Sequence, residues 1–427
     1  MSEIATMPER ATRVRYWVLV FTVTLAVITY IDRAVISVAS VSIADELRLN
    51  TKQSGLIFTA FGVAYALFEI PGGFLGDWMG PRRVLLRIVL WWSFFTAATG
   101  WAWNFVSMVT ARFLFGAGEA GCFPNLTKVF TTWLPERERV RAQGLMWLSA
   151  RWGGAFTPPI AFTVIQWVGW RHAFSVFGVL GLIWAAAWAL WFRDNPLQNP
   201  KMNEAERELL RPSSNRASGH SNVPWKVFAK SGRVWLLCWQ YFFLSYGWYF
   251  YITWLPTYMR QARGMDINST KWLAVLPLFL GGMGNPASVF LSERVLRRTS
   301  NVDKTRRIIS SLGFAGAAAC LVGSTFIGNA VWAMIAIATA SFCNDLAMPP
   351  SWAAAMDMGG KYAGTLSGAM NTLGNLGGAA APLAIGYVLF WTHNNWNLTF
   401  YMSAAAYVGG ILCWLFLDSV TPLEGTR

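Results

Sequence analysis

Apolar residues gather along this chain in blocks of about twenty, separated by short polar segments where Arg, Lys, Pro and Gly concentrate. A helix rising 1.5 Å per residue needs about twenty apolar residues to cross ~30 Å of hydrocarbon. Twelve such blocks occur, near 16–39, 54–76, 84–103, 105–130, 140–164, 172–192, 233–258, 271–291, 307–327, 330–354, 363–390 and 398–418. The pattern predicts an all-α integral membrane protein with twelve transmembrane helices. The even count puts both termini on one side. The first block lacks a clear small-residue cleavage site and is long enough to span, so it reads as a retained first helix.

The longest polar stretch, RDNPLQNPKMNEAERELLRPSSNRASGHSNVPW, lies between the sixth and seventh blocks. Its Pro, Ser and Asn content and alternating charges predict a linker over 193–232, with one short helix at MNEAERELLR. It divides the chain into six-helix halves, 1–192 and 233–427, and the halves repeat each other. RWGGAFTPPI at 151–160 lines up with NLGGAAAPLA at 375–384, an offset of 224 that also superposes Gly144 on Gly368. FLGDWMGPRR after the second block has a weaker counterpart in FLSERVLRR after the eighth. Parallel six-helix repeats predict a transporter fold with its site at the midplane between the halves.

Charge then orients the molecule. The 427 residues are 55% hydrophobic and 15% aromatic with only 13% charged, at a mean hydropathy of +0.37, whereas soluble domains carry about 25% charged residues. The net charge of +14 is spread over short clusters between the apolar blocks, which argues against a nucleic-acid-binding face. With the N-terminus inside, the inside segments hold 26 of the 35 Lys and Arg, the outside loops six (Arg48, Lys52, Arg171, Arg260, Arg263 and Lys271), and the spans three. That asymmetry predicts cytoplasmic termini in a multi-pass inner-membrane protein. The five cysteines are scattered without CxxC spacing and the three histidines fall at span edges or in the linker. No metal site, nucleotide loop or usable nucleophile and base emerges, so neither an enzyme nor an ATP-driven pump is predicted, and protons are the expected coupling ion with no cofactor. A receptor that senses its ligand without moving it is disfavoured by the short linker and tail.

The loop GGFLGDWMGPRR, Gly72 to Arg83, resembles the major facilitator superfamily signature GxLxDRxGRR. Within it, YIDRAVISVA, ARFLFGAGEAGCFPN, TTWLPERERVRAQG and YFYITWLPTYM resemble the anion:cation symporter family, over essentially the whole chain. Known relatives of that family carry hexuronates, galactonate, glucarate, tartrate and phthalate in bacteria, and glutamate, sialic acid and phosphate in animals. The resemblance implies a gate around Gly73, Asp77, Gly80, Arg82 and Arg83. It departs at Trp78, where a basic residue is usual, leaving Arg82 and Arg83 to pair with Asp77. Glu293 stands for the usual Asp in the second copy.

Charges inside the spans are the candidate chemistry, since each costs about 2.5–3.5 kcal/mol at a helix centre and needs a partner or a wet cavity. Asp32 and Arg33 adjoin in the first block; Arg112 and Glu119 are seven apart, on nearly one helix face; Arg151 and Asp345 complete the set. Ion pairs that merely hold helices together are the alternative reading. A fixed guanidinium suits a carboxylate ligand, and only the acids titrate near physiological pH. Asp32, Glu119 and Asp345 are therefore candidate proton carriers, and Arg33, Arg112 and Arg151 candidate anion ligands; the resemblance implies the same division for the first two motifs. Arg151 either meets a second carboxylate or neutralises Asp345. Asn371, Asn375, Ser351 and Trp352 form a candidate polar wall for hydroxyls, with Tyr65, Tyr246 and Tyr249. The expectation is a monomeric proton-coupled symporter of an organic anion, a sugar acid such as a hexuronate, aldonate or aldarate, with aromatic acids or other dicarboxylates as the alternative.

Overall fold

The computed structural model describes residues 10–217, 225–265, 273 and 275–423. Part of the linker (218–224, with His220), Lys271 and Arg427 lie outside the described residues. The helices are α1 Trp17–Glu46, α2 Thr51–Met79, α3 Pro81–Gly100, α4 Phe105–Glu119, α5 Cys122–Trp133, α6 Glu136–Trp191, α7 Glu204–Ala217, α8 Trp225–Lys230, α9 Gly232–Thr253, α10 Leu255–Gln261, α11 Val275–Thr299, α12 Val302–Ser324, α13 Ala330–Leu346, α14 Met348–Gly359, α15 Ala363–Trp391 and α16 Trp396–Phe416. Among the described residues the structure is all-helical and makes twelve crossings.

Three crossings are broken rods. The fourth is α4 plus α5, parted at Ala120 and Gly121; Gly121 holds a left-handed φ of +81°, and a Cβ there would meet the α2 backbone at Gly72. The seventh is α9 plus α10, interrupted at Trp254, and the tenth is α13 plus α14, interrupted at Ala347. The fifth and sixth crossings run together as α6 and turn at Gly169, φ +76° and ψ +160°. The linker helix expected at MNEAERELLR is α7. Large apolar side chains such as Trp103, Trp167, Trp332 and Trp391 face outward, as a lipid-facing surface requires.

The repeat is realised as contacts. Gly144 of α6 lies against Val289 and Asn285 of α11, and Gly368 of α15 lies against Glu69 and Ile70 of α2. Gly153 meets Val27 of α1 as Gly377 meets Phe242 of α9, and Gly154 meets Tyr30 as Gly378 meets Tyr249. Glycine at these aligned positions lets backbones approach closely. Each half thus keys its fifth helix to its own first, and the two seams between the halves are α6 on α11 and α2 on α15.

Candidate functional site

At the end of the bundle that carries both termini, two buried locks join the halves. Asp77, at the end of α2, caps the start of α15 by accepting from Gly364 N (3.1 Å), Thr365 N (2.6 Å) and the Thr365 hydroxyl (2.7 Å). Its cationic partner is Lys128 of α5 at 3.3 Å, whose ammonium also donates to the Lys361 carbonyl across the seam. Arg82 and Arg83 do not supply that charge. The positive φ of Gly80 and the start of α3 at Pro81 turn Arg82 toward Asp194 and the Ala189 carbonyl, and Arg83 is exposed. Gly73 is needed where α2 crosses α15: a Cβ there would collide with the Gly364 carbonyl. In the second lock Asp357 of α14 accepts from Arg139 of α6 and Arg306 of α12. Glu293 is exposed. Among the described residues no hydrogen bond or ion pair joins the halves at the opposite end.

Above the locks lies a cavity of about 80 Å³ between the halves. Of the expected residues, Arg33, Arg151, Tyr65, Tyr249, Asn371 and Asn375 line it; Tyr30, Phe123, Trp147 and Tyr241, which the sequence reading did not single out, complete an aromatic wall with Trp248. Arg33 Nε donates to Glu119 at 2.6 Å, and its guanidinium lies 4.6 Å from the Tyr65 ring. Behind this pair, away from the lining, are Asp32 and Arg112. Asp32 sits with Arg112, Glu119 and the Trp92 indole, and neither of its oxygens completes a hydrogen bond. Arg112 stacks 4.3 Å from the Phe115 ring, with Nε and Nη1 unbonded. Four charges thus share the core of one half with a single direct pair among them.

Arg151 pairs with Asp345 across the bundle in a two-point contact, Nε to Oδ2 at 2.9 Å and Nη2 to Oδ1 at 3.2 Å. Asn285 and Asn344 donate to the same carboxylate, and the guanidinium covers the Trp248 ring at 3.3 Å. Of the two expectations for Arg151, the geometry realises the pairing. Asp345, expected as a proton carrier, thus stands as the counter-ion of Arg151 with both oxygens engaged.

Three residues of the expected polar wall stand outside the lining. Ser351 donates to Gln240 and the Ala347 carbonyl, Trp352 donates to Tyr241 and so braces the wall, and Tyr246 stacks beside Phe242. Asn371 is engaged by Glu69, a buried carboxylate in α2 that the sequence reading passed over. A lone acid in the apolar run YALFEIPGG was the available signal.

Comparison with known proteins places this architecture. The probable sulfoacetate transporter SauU of Cupriavidus necator is 36% identical over 93% of this chain and 92% of its own. The probable galactarate/D-glucarate transporter GarP of Escherichia coli strain K12 is 28% identical over 96% of each chain, and the hexuronate transporter of Bacillus subtilis 28% over 87% of each. In three dimensions the E. coli fucose:proton symporter FucP superposes with a TM-score of 0.72 at 14% identity, covering 95% of this chain and 99% of that one. The proton:xylose symporter XylE reaches 0.75 at 12%, covering 96% and 98%. The family model for the Major Facilitator Superfamily matches residues 22–382, and the chain belongs to that superfamily of membrane transporters.

Proposed function

We propose that the protein is a proton-coupled symporter that takes up an organic anion by alternating access, with both termini cytoplasmic. The observation that carries this reading is the 2.6 Å contact between Arg33, in the cavity wall, and Glu119, fully buried behind it. An arriving carboxylate or sulfonate competes with Glu119 for the guanidinium, and a proton on Glu119 removes the competitor. Anion and proton therefore favour each other's binding, which is the coupling a symporter needs. Asp32 is the second proton carrier in this scheme. Arg112 holds the field of the cluster, and Arg151 with Asp345 braces the wall. The Asp77 and Asp357 locks close the terminus end until the loaded site lets the halves rock.

A compact anion, a short acid with a carboxylate and a sulfonate or second carboxylate, is the substrate class the geometry favours. The cavity is about 80 Å³, against ~300–1,000 Å³ for pockets that hold drug-sized ligands. Ser351 and the Asn371 amide, the expected hydroxyl readers, are already engaged. The 36% identical relative is described as a probable sulfoacetate transporter. A hexuronate, aldonate or aldarate is the second reading, supported by the 28% identical relatives and by Asn375 and Tyr249 in the lining. Uptake by proteoliposomes of sulfoacetate, D-glucarate and D-galacturonate, with and without an inward proton gradient, separates them. Glu119→Gln is expected to keep counterflow exchange and lose gradient-driven accumulation. Accumulation kept with exchange lost would overturn the assignment.

A further inference from the structure

The seam between α2 and α15 carries one buried carboxylate that the scheme above leaves idle. Tyr65, Glu69, Gly73 and Asp77 recur every fourth residue and so form one face of α2. Down that face the cavity wall, Glu69, the glycine crossing and the Asp77 lock follow in order. Glu69 Oε1 accepts from Asn371 Nδ2 of α15 at 2.6 Å and from the Tyr65 hydroxyl at 3.4 Å; Oε2 accepts from Gly121 N, at the start of α5, at 3.1 Å. The residue is fully buried, and among the described residues no cation forms an ion pair with it. Its charged and titratable surroundings are Arg33 on α1, Tyr65 on its own helix and the Cys122 thiol on α5; α15 presents the neutral Asn371.

We propose that Glu69 is a further proton-binding residue, a latch whose protonation releases α2 from α15 and opens the terminus end. Three donors from three helices suit an ionised carboxylate. Only the Asn371 donor belongs to the other half. When the seam parts, that donor leaves, and a buried charge stripped of a donor is costly. The parted state therefore favours the neutral acid, and by linkage a proton arriving through the cavity past Tyr65 favours parting. On protonation one oxygen becomes an O–H donor, so the carboxyl gives up acceptor capacity while no other bond forms or breaks.

This inference rests on the proton-coupled reading, and two measurements keep them apart. In proteoliposomes supplied with sulfoacetate or D-glucarate, protons entering per anion are counted with an internal pH dye. Glu69→Gln, which keeps an acceptor oxygen and cannot titrate, is expected to carry one proton fewer per anion than wild type while exchange continues; an unchanged ratio overturns the inference. Independently, nitroxides on Arg87→Cys and Lys304→Cys, exposed near the terminus end of each half, report its opening without any anion. Between about pH 8 and about pH 5.5 the open fraction is expected to rise about tenfold in the labelled parent and less than about twofold with Glu69→Gln. An equal rise in both, or none in either, sinks the latch. A wild type that moves anions without protons defeats the symport reading, while the label distances still decide Glu69.

Discussion

Arg33 and Glu119 meet at 2.6 Å with unequal access: the arginine side chain keeps 24% of its surface toward the cavity, and the glutamate none. A ligand thus reaches the cation without passing the acid. Arg33→Lys keeps the charge and loses the planar fork that grips an oxyanion and its counter-ion together. We expect KM for the transported anion to rise about tenfold, about 1.4 kcal/mol of binding, with the folded fraction unchanged. Initial-rate uptake at graded anion concentration measures it; an unchanged KM would remove Arg33 from the site.

Arg151 and Asp345 predict a stability effect rather than a specificity effect. Losing one partner of a buried pair leaves an uncompensated charge and costs about 3–5 kcal/mol. Arg151→Met or Asp345→Leu alone should lower the unfolding temperature in detergent, and the double variant should recover most of the loss. If Arg151→Met leaves the temperature unchanged and alters which anion is carried, the arginine is a ligand instead.

The Asp357 lock joins three helices from both halves. Asp357→Asn removes the charge from two guanidinium contacts at once and should bias the molecule toward opening at the terminus end. A cysteine placed at Ser245, in the cavity wall, should then react at least about fivefold faster with an impermeant thiol reagent from that side, a shift of about 1 kcal/mol or more. Unchanged labelling would show that the lock does not hold the closed state.

Gly73 gives a steric test. Gly73→Ala forces a methyl against the Gly364 carbonyl, whereas a Cβ at Gly62 on the same helix meets nothing within 4 Å. Transport by Gly73→Ala should fall about tenfold or more at normal expression, since a clash of this kind costs about 1–3 kcal/mol in the closed state. Gly62→Ala should transport like wild type.

The crossings, the linker helix and the internal repeat were legible because lipid forces long apolar runs and close helix contacts force glycine. The breaks at Gly121, Trp254 and Ala347 were not: Pro256 and Pro349 follow two of them, but Pro71, Pro158 and Pro159 lie inside helices that run on past them, so tertiary packing decides where a rod yields. Asp32, Arg33, Arg112 and Glu119 were found as a group, and the structure clusters them; which of them reach the cavity depends on helix rotation, which charge alone does not give. Asp77 was expected to pair with its sequence neighbours Arg82 and Arg83. Lys128, near the end of the fourth block, takes that place because α5 extends the broken fourth crossing down to the lock. Glu69 escaped notice as a lone acid without an adjacent base, and its partners are all neutral and come from three separate helices.

The span of 194 residues between Arg151 and Asp345 also sets a timetable for biogenesis. At about 5–20 residues per second, the ribosome finishes the helix bearing Arg151 roughly 10–40 s before the helix bearing its counter-ion. During that interval the first half must shelter an unmatched guanidinium at the translocon or by snorkelling toward a headgroup. Arrival of α13 ends the wait, so the nascent halves are joined by an electrostatic checkpoint that a truncated chain never passes.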